Sequence, residues 1–316
     1  MSIAQDRGAA RAPLRERLLS WWSGNDNVPA ARRPRAAKPA APVAPAQQEP
    51  VEPLAHWENP AMRIAQLAWG EGCSKPGGGD HLLELSRPLG LDATKSILEF
   101  GTGLGGGARA LRRDTGVWIE GYEIEPDLAR AAKQLAIRAR EEKGVDIACY
   151  SAQSFAPRPG GYDCILSTET LYRIGNKEDL LIKFEQALKP RGQMLITDFV
   201  LAPGASAKDP RLKAFAPGPL AFWPAAHYAR HFRDRNLDLR VSEDITADYR
   251  KLVLDGCKRF TEGGPRLVGH AKTYPGETVA FLDLWANRMT ALDAGLVKVM
   301  RFTAIKSGNI KLMSNW

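Results

Sequence analysis

The sequence predicts a doubly wound α/β fold, built on a mostly parallel, seven-stranded sheet with an antiparallel last strand and added helices. Three observations predict it. Strand and helix patterns alternate from residue 97 to residue 200, which is typical of parallel strands joined by helices. A glycine-rich turn at 101–107 joins the first strand to its helix. The β-rich run VKVMRFTAI is reached without a β–α–β crossover, so it is expected to be antiparallel.

The elements of the alternating part each carry a local signal. A helix is predicted over residues 60–69, with Pro60 in its first turn, where a missing N–H costs nothing. The loop at 70–79 precedes a short helix through Leu85, for which Asp80 is the predicted N-cap. Strands are then predicted at 97–100, 117–123, 145–150, 162–168 and 193–200, and helices at 106–113, 126–142 and 177–188.

The C-terminal part of the chain lacks this regular alternation of strands and helices. Residues 203–219 are rich in Pro, Gly and Ala and predict a loop, which a helix at about 224–236 follows. The segment LDLRVSEDIT predicts a sixth strand. Two more helices are predicted near 247–261 and 277–293, the second closed by Gly295. The last strand, VKVMRFTAI, completes the seven.

Residues 1–55 differ in composition from the rest of the chain. They are rich in Ala and Pro after residue 22, so we expect an unstructured basic tail and linker. Residues 11–22 fit a short amphipathic helix in peripheral contact with a membrane or a partner, but isolated helices of this length are marginal, and an unstructured tail is favoured. The folded part, 56–316, is expected to be one domain with a helical insertion at about 203–292.

Composition narrows the class of protein. The chain has 316 residues and a formal net charge of +8, which suits a mildly basic soluble surface and does not call for nucleic acid. No apolar run is long enough to cross a bilayer, and the N-terminus lacks the apolar core of a signal peptide. The four cysteines are scattered without metal-binding spacing. A cytoplasmic protein without disulfides is therefore expected, with or without peripheral membrane contact.

The glycine-rich turn is the predicted ligand site. Gly101-x-Gly103-x-x-Gly106 has the GxGxxG spacing that brings a ligand against the main chain where a strand turns into a helix. Glu123 ends the next strand, where a carboxylate accepts hydrogen bonds from ribose hydroxyls. This pair fits a nicotinamide or flavin nucleotide as well as another adenosine cofactor. Glu99, two residues before the first glycine, favours a cationic ligand over an anionic pyrophosphate.

With these motifs the sequence resembles the class I S-adenosylmethionine-dependent methyltransferases, from about Trp69 to Ser307. The resemblance rests on four segments in the family's order, ILEFGTGLGGGA, GYEIEP, YDCILSTETLYRI and LKPRGQMLITDFVL. The upstream segment GEGCSKPGG further resembles the branch that includes phosphoethanolamine, sarcosine and sterol methyltransferases. The family's fold is a Rossmann-like version of the architecture predicted above.

The resemblance implies S-adenosyl-L-methionine as the cofactor and methyl transfer as the reaction. The residues that it places at the cofactor are Glu99, Gly101, Gly103, Glu123, Ile124, Ala152 and Gln153. Three features depart from the family's pattern, one of which is that Ala68 and Trp69 stand where a Tyr precedes the GEG segment in phosphoethanolamine methyltransferases. Ser151 stands where members commonly carry Asp after the third strand, and Arg173 stands where a His often follows the fourth strand in the small-amine branch. The Tyr–His catalytic pair of that branch is therefore not carried over.

Acceptor contacts are expected from the segment before the sheet, the end of the fourth strand and the loop after the fifth. The catalytic candidates are Glu71, Glu169, Tyr172 and His227, and the aromatic ones are Trp69 and Trp223. Glu71 suits a cationic acceptor, whereas the two tryptophans fit a packing role as well. His227 and His231 lie four residues apart on a predicted helix, but no third ligand accompanies them, so no metal is expected.

The predicted function is methyl transfer from S-adenosylmethionine to a small-molecule or lipid acceptor, at nitrogen. Two alternatives stay open. One is a catalytically inactive cofactor-binding module for interactions, which the departures at Ser151 and Arg173 allow. The other is a nicotinamide-dependent oxidoreductase, which Glu99 and the antiparallel last strand disfavour.

Overall fold

The computed structural model describes residues 53–151, 154–235 and 237–308. In these ranges the strands are β1 (Ser96–Phe100), β2 (Trp118–Glu123), β3 (Val145–Cys149), β4 (Tyr162–Thr168), β5 (Leu188–Leu201), β6 (Leu237–Asp244) and β7 (Val297–Lys306). The helices are α1 (Pro60–Trp69), α2 (Gly78–Ser86), α3 (Gly106–Thr115), α4 (Pro126–Ala139), α5 (Lys177–Ala187), α6 (Ala225–Asp234), α7 (Thr246–Glu262), α8 (Gly264–Thr273) and α9 (Pro275–Asp293). Short 3-10 helices lie at Arg87–Leu89, Leu171–Arg173 and Pro210–Ala214.

All seven strands belong to one sheet, in the order β3-β2-β1-β4-β5-β7-β6. Strands β1 to β5 pair in parallel, and β7 is antiparallel to both β5 and β6. This confirms the predicted mostly parallel sheet with an antiparallel last strand. The strand order reverses at β1, which lies between β2 and β4. Ligands of open α/β sheets bind beyond the carboxyl ends of the strands at such a reversal.

The sheet is buried on both faces because helices cover it. The β1 and β4 strands consist almost wholly of buried residues, as expected for central parallel strands. Helix α3 packs by small residues, and leucines of α2 complete one core with β1 and β2. The other face of the sheet carries a second core rich in aromatic rings, which continues toward α6 and β7. The site described below lies between these two packed layers, at the carboxyl edge of β1 and β4.

Several predicted boundaries were wrong for local reasons. Asp80 is not an N-cap: α2 already begins at Gly78, and Asp80 lies in its first turn. Helix α4 ends at Ala139 rather than at 142, because Arg140 adopts a left-handed conformation (φ 60°). Strand β5 begins at Leu188, earlier than predicted, because Leu188 already pairs with Tyr162. Helix α8 was not predicted, since its sequence starts with Gly264 and Pro265, which are typical of a loop.

The N-terminal predictions fall mostly outside the described ranges. The proposed amphipathic helix at 11–22 and nearly all of the tail at 1–55 lie there, so the structure does not bear on them. In the part of the chain that is described, no helix is both long and apolar enough to cross a bilayer.

Candidate active site

The glycine-rich turn is built so that its N–H groups bond to the chain itself. After β1 ends at Phe100, Gly101 and Gly103 take left-handed conformations, with φ of 82° and 58°, which residues with a side chain rarely adopt. The N–H of Gly101 donates to the carbonyl oxygen of Tyr122 (2.7 Å), and the N–H of Gly103 donates to Glu123 Oε2 (2.7 Å). The Gly101 carbonyl oxygen accepts a hydrogen bond from the Lys75 ammonium (2.6 Å). The turn therefore offers an acceptor, which suits a cation better than a phosphate.

Glu123 lies at the predicted position and holds the turn. Its side chain is buried, and besides the Gly103 bond it accepts hydrogen bonds from the N–H groups of Ile124 (2.8 Å) and Glu125 (3.1 Å). A carboxylate has about four acceptor positions. Three of them are used within the described chain, and the ribose contact of Glu123 stays a prediction.

Glu99 is the unusual charge of the site. Its side chain is only 4% exposed, and its Oε2 has no hydrogen-bond partner within the described chain. Burial raises the pKa of Glu99 to about 7, although the nearby Lys75 ammonium opposes the rise. A buried carboxylate oxygen without a partner is costly, so such an atom indicates that a donor or a cation binds there.

Glu169 is a second carboxylate at the same place. It follows β4 directly and has φ of 47°, an uncommon value for a residue with a side chain, and strain of this kind clusters at functional sites. Tyr249 on α7 donates its hydroxyl to Glu169 Oε2 (3.1 Å). Burial raises the pKa of Glu169, and the charges of Lys75 and Arg288, together with the Tyr249 hydrogen bond, act against that rise.

The two carboxylates share one cavity of about 40 Å³. Its wall is formed by the glycine turn, the end of β4, the start of α2 and the segment that precedes α2; it includes Gly72, Ser74, Lys75, Glu99, Thr168 and Glu169. Lys75 was not predicted from the sequence. Its Nζ donates to the carbonyl oxygens of Gly101 and Thr168 (both 2.6 Å) and to Thr168 Oγ1 (3.0 Å). These three oxygens form a binding position for an ammonium group, called the acceptor ring below.

Tyr172, another candidate, lies in an aromatic cluster beside the cavity. Its hydroxyl accepts a hydrogen bond from Arg288 Nη2 (2.9 Å), and its ring stacks on Phe222 at 5.9 Å between centroids. The Arg288 guanidinium also lies 4.6 Å from the ring centre of Trp285. Tyr249 and Arg288 come from α7 and α9. Neither was predicted as a site residue, because each stands in an ordinary helical sequence pattern.

The other candidates lie elsewhere. Glu71 and His227 have exposed side chains and do not line the cavity, so the structure does not bring them to Glu99 and Glu169. His227 contacts Trp223, and Trp223 packs on the aromatic core.

Trp69 is a core residue, buried against Trp285 with 4.8 Å between ring centres. Ile124 is 37% exposed next to Glu123, whereas Ala152 and Gln153 lie outside the described residues.

Comparison with known proteins identifies the family to which the chain belongs. Residues 78–241, just over half of the chain, match the family described as a methyltransferase domain. The chain is a member of this family. The match covers the glycine turn, Glu123 and the end of β4, so it rests on the segments that form the cavity.

Related proteins and solved structures agree with the assignment. The chain is similar to phosphoethanolamine N-methyltransferase 3 of Arabidopsis thaliana, at 25% identity over 200 residues, which is 62% of this chain and 40% of that protein. Its fold is similar to that of Haemonchus contortus phosphoethanolamine N-methyltransferase 2 in complex with S-adenosyl-L-methionine (TM-score 0.69, 18% identity, 79% of this chain and 57% of that chain). It is also similar to a putative sarcosine dimethylglycine methyltransferase from Galdieria sulphuraria (TM-score 0.64, 17% identity, 79% and 99%). The chain thus spans less than two thirds of the phosphoethanolamine enzymes it matches.

The predicted cofactor, S-adenosylmethionine, is confirmed at the level of the family, and the nicotinamide alternative is set aside. The residues present fit this cofactor, because the orphaned Glu99 oxygen and the acceptor ring suit a ligand with two cationic groups. Arg173, the departure after β4, forms an ion pair with Glu125 (2.9 Å), and both side chains are partly exposed.

Proposed function

We propose that this methyltransferase transfers a methyl group from S-adenosylmethionine to a nitrogen atom of a small, amine-bearing acceptor. The observation that carries the proposal is the pair of buried carboxylates, Glu99 and Glu169, in one cavity at the carboxyl edge of β1 and β4. A cavity with two carboxylates attracts the cationic groups of its ligands, such as an ammonium or a sulfonium.

Each carboxylate serves a different group. Glu99 belongs to the turn and, with Gly101, Gly103, Glu123 and Ile124, holds the cofactor. Ala152 and Gln153 follow β3 in the sequence, and we expect the adenine beside them. When bound, the cofactor supplies an activated methyl group. The chain contributes alignment of the acceptor and a site shielded from water.

Glu169 is the proposed acceptor contact and general base. The attacking nitrogen must present a lone pair, so an ammonium acceptor has to lose a proton first. The raised pKa of Glu169 suits a carboxylate that takes up such a proton. Tyr249 orients the carboxylate through the 3.1 Å hydrogen bond, and Tyr172 with Arg288 forms the adjoining wall.

The phosphoethanolamine and sarcosine enzymes among the relatives act on acceptors of this kind by their names. Their similarity supports an amine acceptor here, and the two buried carboxylates of the cavity favour a cationic acceptor over an apolar one. Glu71 and His227, which lie outside the cavity, have no role in the proposed reaction.

The test is incubation with S-adenosylmethionine that carries a labelled methyl group, together with fractionated small amines, followed by mass spectrometry. We expect the label on nitrogen of a small amine. Glu169→Gln should reduce the rate by about 100-fold or more, as expected for loss of a general base. Glu142→Gln, at an exposed position between α4 and β3, is the matched control and should retain most of the activity. Label on oxygen or carbon, or an active Glu169→Gln variant, would refute the proposal.

A further inference from the structure

The ammonium group of Lys75 occupies the acceptor ring. Its three short contacts to Gly101 O, Thr168 O and Thr168 Oγ1 satisfy all three of its donors. Two of these acceptors are main-chain carbonyls fixed by β1 and β4, so the ring persists whether or not the lysine is there. The ring lies beside both carboxylates of the cavity, and Lys75 lowers the pKa of each of them against the effect of burial.

The segment that carries Lys75 covers the glycine turn. A Cβ atom added at Gly103 would lie 2.1 Å from Ser74 Oγ, and one added at Gly106 would lie 2.4 Å from the carbonyl oxygen of Gly72. Residues 72–76, the cover segment, therefore touch the glycines that the GxGxxG spacing reserves for close approach by a ligand. The chain itself makes that approach here.

Glycines stand at both ends of the cover segment. Gly70 and Gly72 precede Lys75 and have φ of 104° and 69°, and Gly77 and Gly78 follow it with φ of 78° and 56°. Glycines of this kind absorb large changes of backbone angle at low cost. The N–H of Gly78 donates to the Lys75 carbonyl (3.2 Å), the N–H of Cys73 to the Gly70 carbonyl (3.0 Å) and the N–H of Gly72 to Gln66 Oε1 (2.8 Å), so these main-chain hydrogen bonds lie toward the ends of the segment.

We propose that Lys75 is an intramolecular competitor of the cofactor: its ammonium fills the acceptor ring in the free protein and leaves it when the α-ammonium of the cofactor's amino-acid group binds there. The inference rests on the proposed function, because it takes S-adenosylmethionine as the ligand of the turn. The two ammonium groups have the same charge and the same hydrogen-bond donors, and one ring cannot hold both. Occupation by Lys75 reduces the apparent affinity by the fraction of molecules whose ring is open.

Two ligands separate this competition from a general role of Lys75 in the site. S-adenosylhomocysteine carries the α-ammonium, whereas 5′-methylthioadenosine keeps the adenosine and sulfur but lacks the amino-acid group. Competition for the ring affects only the first. A lysine that merely held the cover segment on the site would affect both ligands in the same direction.

The experiment is calorimetric titration of the full chain with each ligand, for the wild type, Lys75→Met and Lys75→Gln. Lys133→Met, at an exposed position on α4, is the matched control for loss of a lysine. We expect Lys75→Met and Lys75→Gln to bind S-adenosylhomocysteine at least about fivefold more tightly, with 5′-methylthioadenosine and the control within about twofold of the wild type. Thermal unfolding of each variant checks that it is folded.

Four other outcomes would contradict the proposal. If Lys75→Met weakens binding of S-adenosylhomocysteine, Lys75 contacts the bound ligand and the proposal is wrong. Equal shifts for both ligands, or no shift at all, also overturn it. Binding of 5′-methylthioadenosine but not of S-adenosylhomocysteine by every variant, Lys75→Met included, would contradict the competition while leaving an adenosine site. Binding of no adenosine ligand by any variant would remove the proposed function as well.

Discussion

Two lysine–carboxylate clusters lie within the same fold, and they differ in how completely their polar atoms are paired. In the first, Lys177 and Asp198 are both fully buried, with 3.9 Å between Nζ and Oδ2. Lys177 also donates to the carbonyl oxygen of Ala221 (2.6 Å), and Asp198 accepts from Tyr228 Oη (2.7 Å) and the N–H of Tyr172 (3.0 Å). In the second, Lys75 has three acceptors but Glu99 Oε2 has no partner.

The difference separates a structural cluster from a binding one. The Lys177 cluster ties the loop after β5, through Ala221, to the end of β5 and to α6, and every group in it has a partner. Burial raises the pKa of Asp198 and lowers that of Lys177, and the charge of each opposes the shift of the other. The Lys75 cluster opens on a cavity and leaves a carboxylate oxygen for something that is not part of the chain. Pairing therefore distinguishes the two clusters better than burial or charge does.

The largest effect on stability is expected from removing the lysine of the Lys177 cluster. Lys177→Met leaves the Asp198 carboxylate buried without its counter-ion and should lower the free energy of unfolding by about 3–5 kcal/mol. Lys189→Met breaks a more exposed pair with Asp163 (2.7 Å) and should cost no more than about 1 kcal/mol. Denaturant unfolding measures both. A Lys177 variant as stable as the Lys189 variant would contradict the structural assignment.

In the Lys75 cluster, Glu99→Gln should change how the stability of the protein depends on pH. The folded-state pKa of about 7 lies above the ordinary value of 4.5, so folding takes up a proton between those values and the wild type loses stability as pH rises through them. The variant lacks this titration. Its free energy of unfolding relative to the wild type should therefore rise by roughly 2–4 kcal/mol from pH 4 to pH 8. A difference that stays constant with pH would mean that Glu99 is not perturbed.

Glu123→Gln probes the cofactor side of the cavity. The variant keeps one acceptor oxygen but loses the charge that holds the turn and receives the ribose hydroxyls. Binding of S-adenosylhomocysteine should weaken by about 1.5–3 kcal/mol, the range for hydrogen bonds to a charged group. Isothermal titration calorimetry gives the affinity, and a value equal to that of the wild type would exclude Glu123 from the site.

The smallest effect is expected from Tyr249→Phe, which removes the hydroxyl that bonds to Glu169. That bond opposes the rise of the Glu169 pKa, so its loss should raise the pKa further. The rising limb of the pH profile of methyl transfer should move to higher pH, by an amount equivalent to about 1 kcal/mol. A profile that moves to lower pH, or not at all, would show that Tyr249 does not act through Glu169.

The cofactor side of the site was predictable because its signals are local in sequence. Gly101, Gly103, Glu99 and Glu123 lie within one β–α–β unit, and the spacing of glycines and acids in such a unit fixes where they meet. The mostly parallel sheet followed from the alternation of strands and helices, and the antiparallel β7 from the lack of a crossover before it. Helix α8 was missed because Gly264 and Pro265, which begin it, are typical of loops, and tertiary packing overrides that preference.

The acceptor side was less predictable because distant segments form it. Lys75 precedes α2, Glu169 follows β4, Tyr249 is on α7 and Arg288 is on α9, so no short window contains two of them. Glu169 and Tyr172 were proposed from the sequence because they follow a strand of the central sheet, and of the two only Glu169 lines the cavity. Glu71 and His227 were chosen for their chemistry alone, and the structure places both at the surface.

The most direct test of the central claim is a binding competition at the cavity, with labelled S-adenosylmethionine in equilibrium dialysis against the wild type and Glu99→Gln. We predict micromolar binding to the wild type, no displacement by NADH, full displacement by S-adenosylhomocysteine, and weaker binding to Glu99→Gln at pH 8. Displacement by NADH, or undiminished binding to Glu99→Gln, would contradict the assignment of this cavity to a cationic methyl donor.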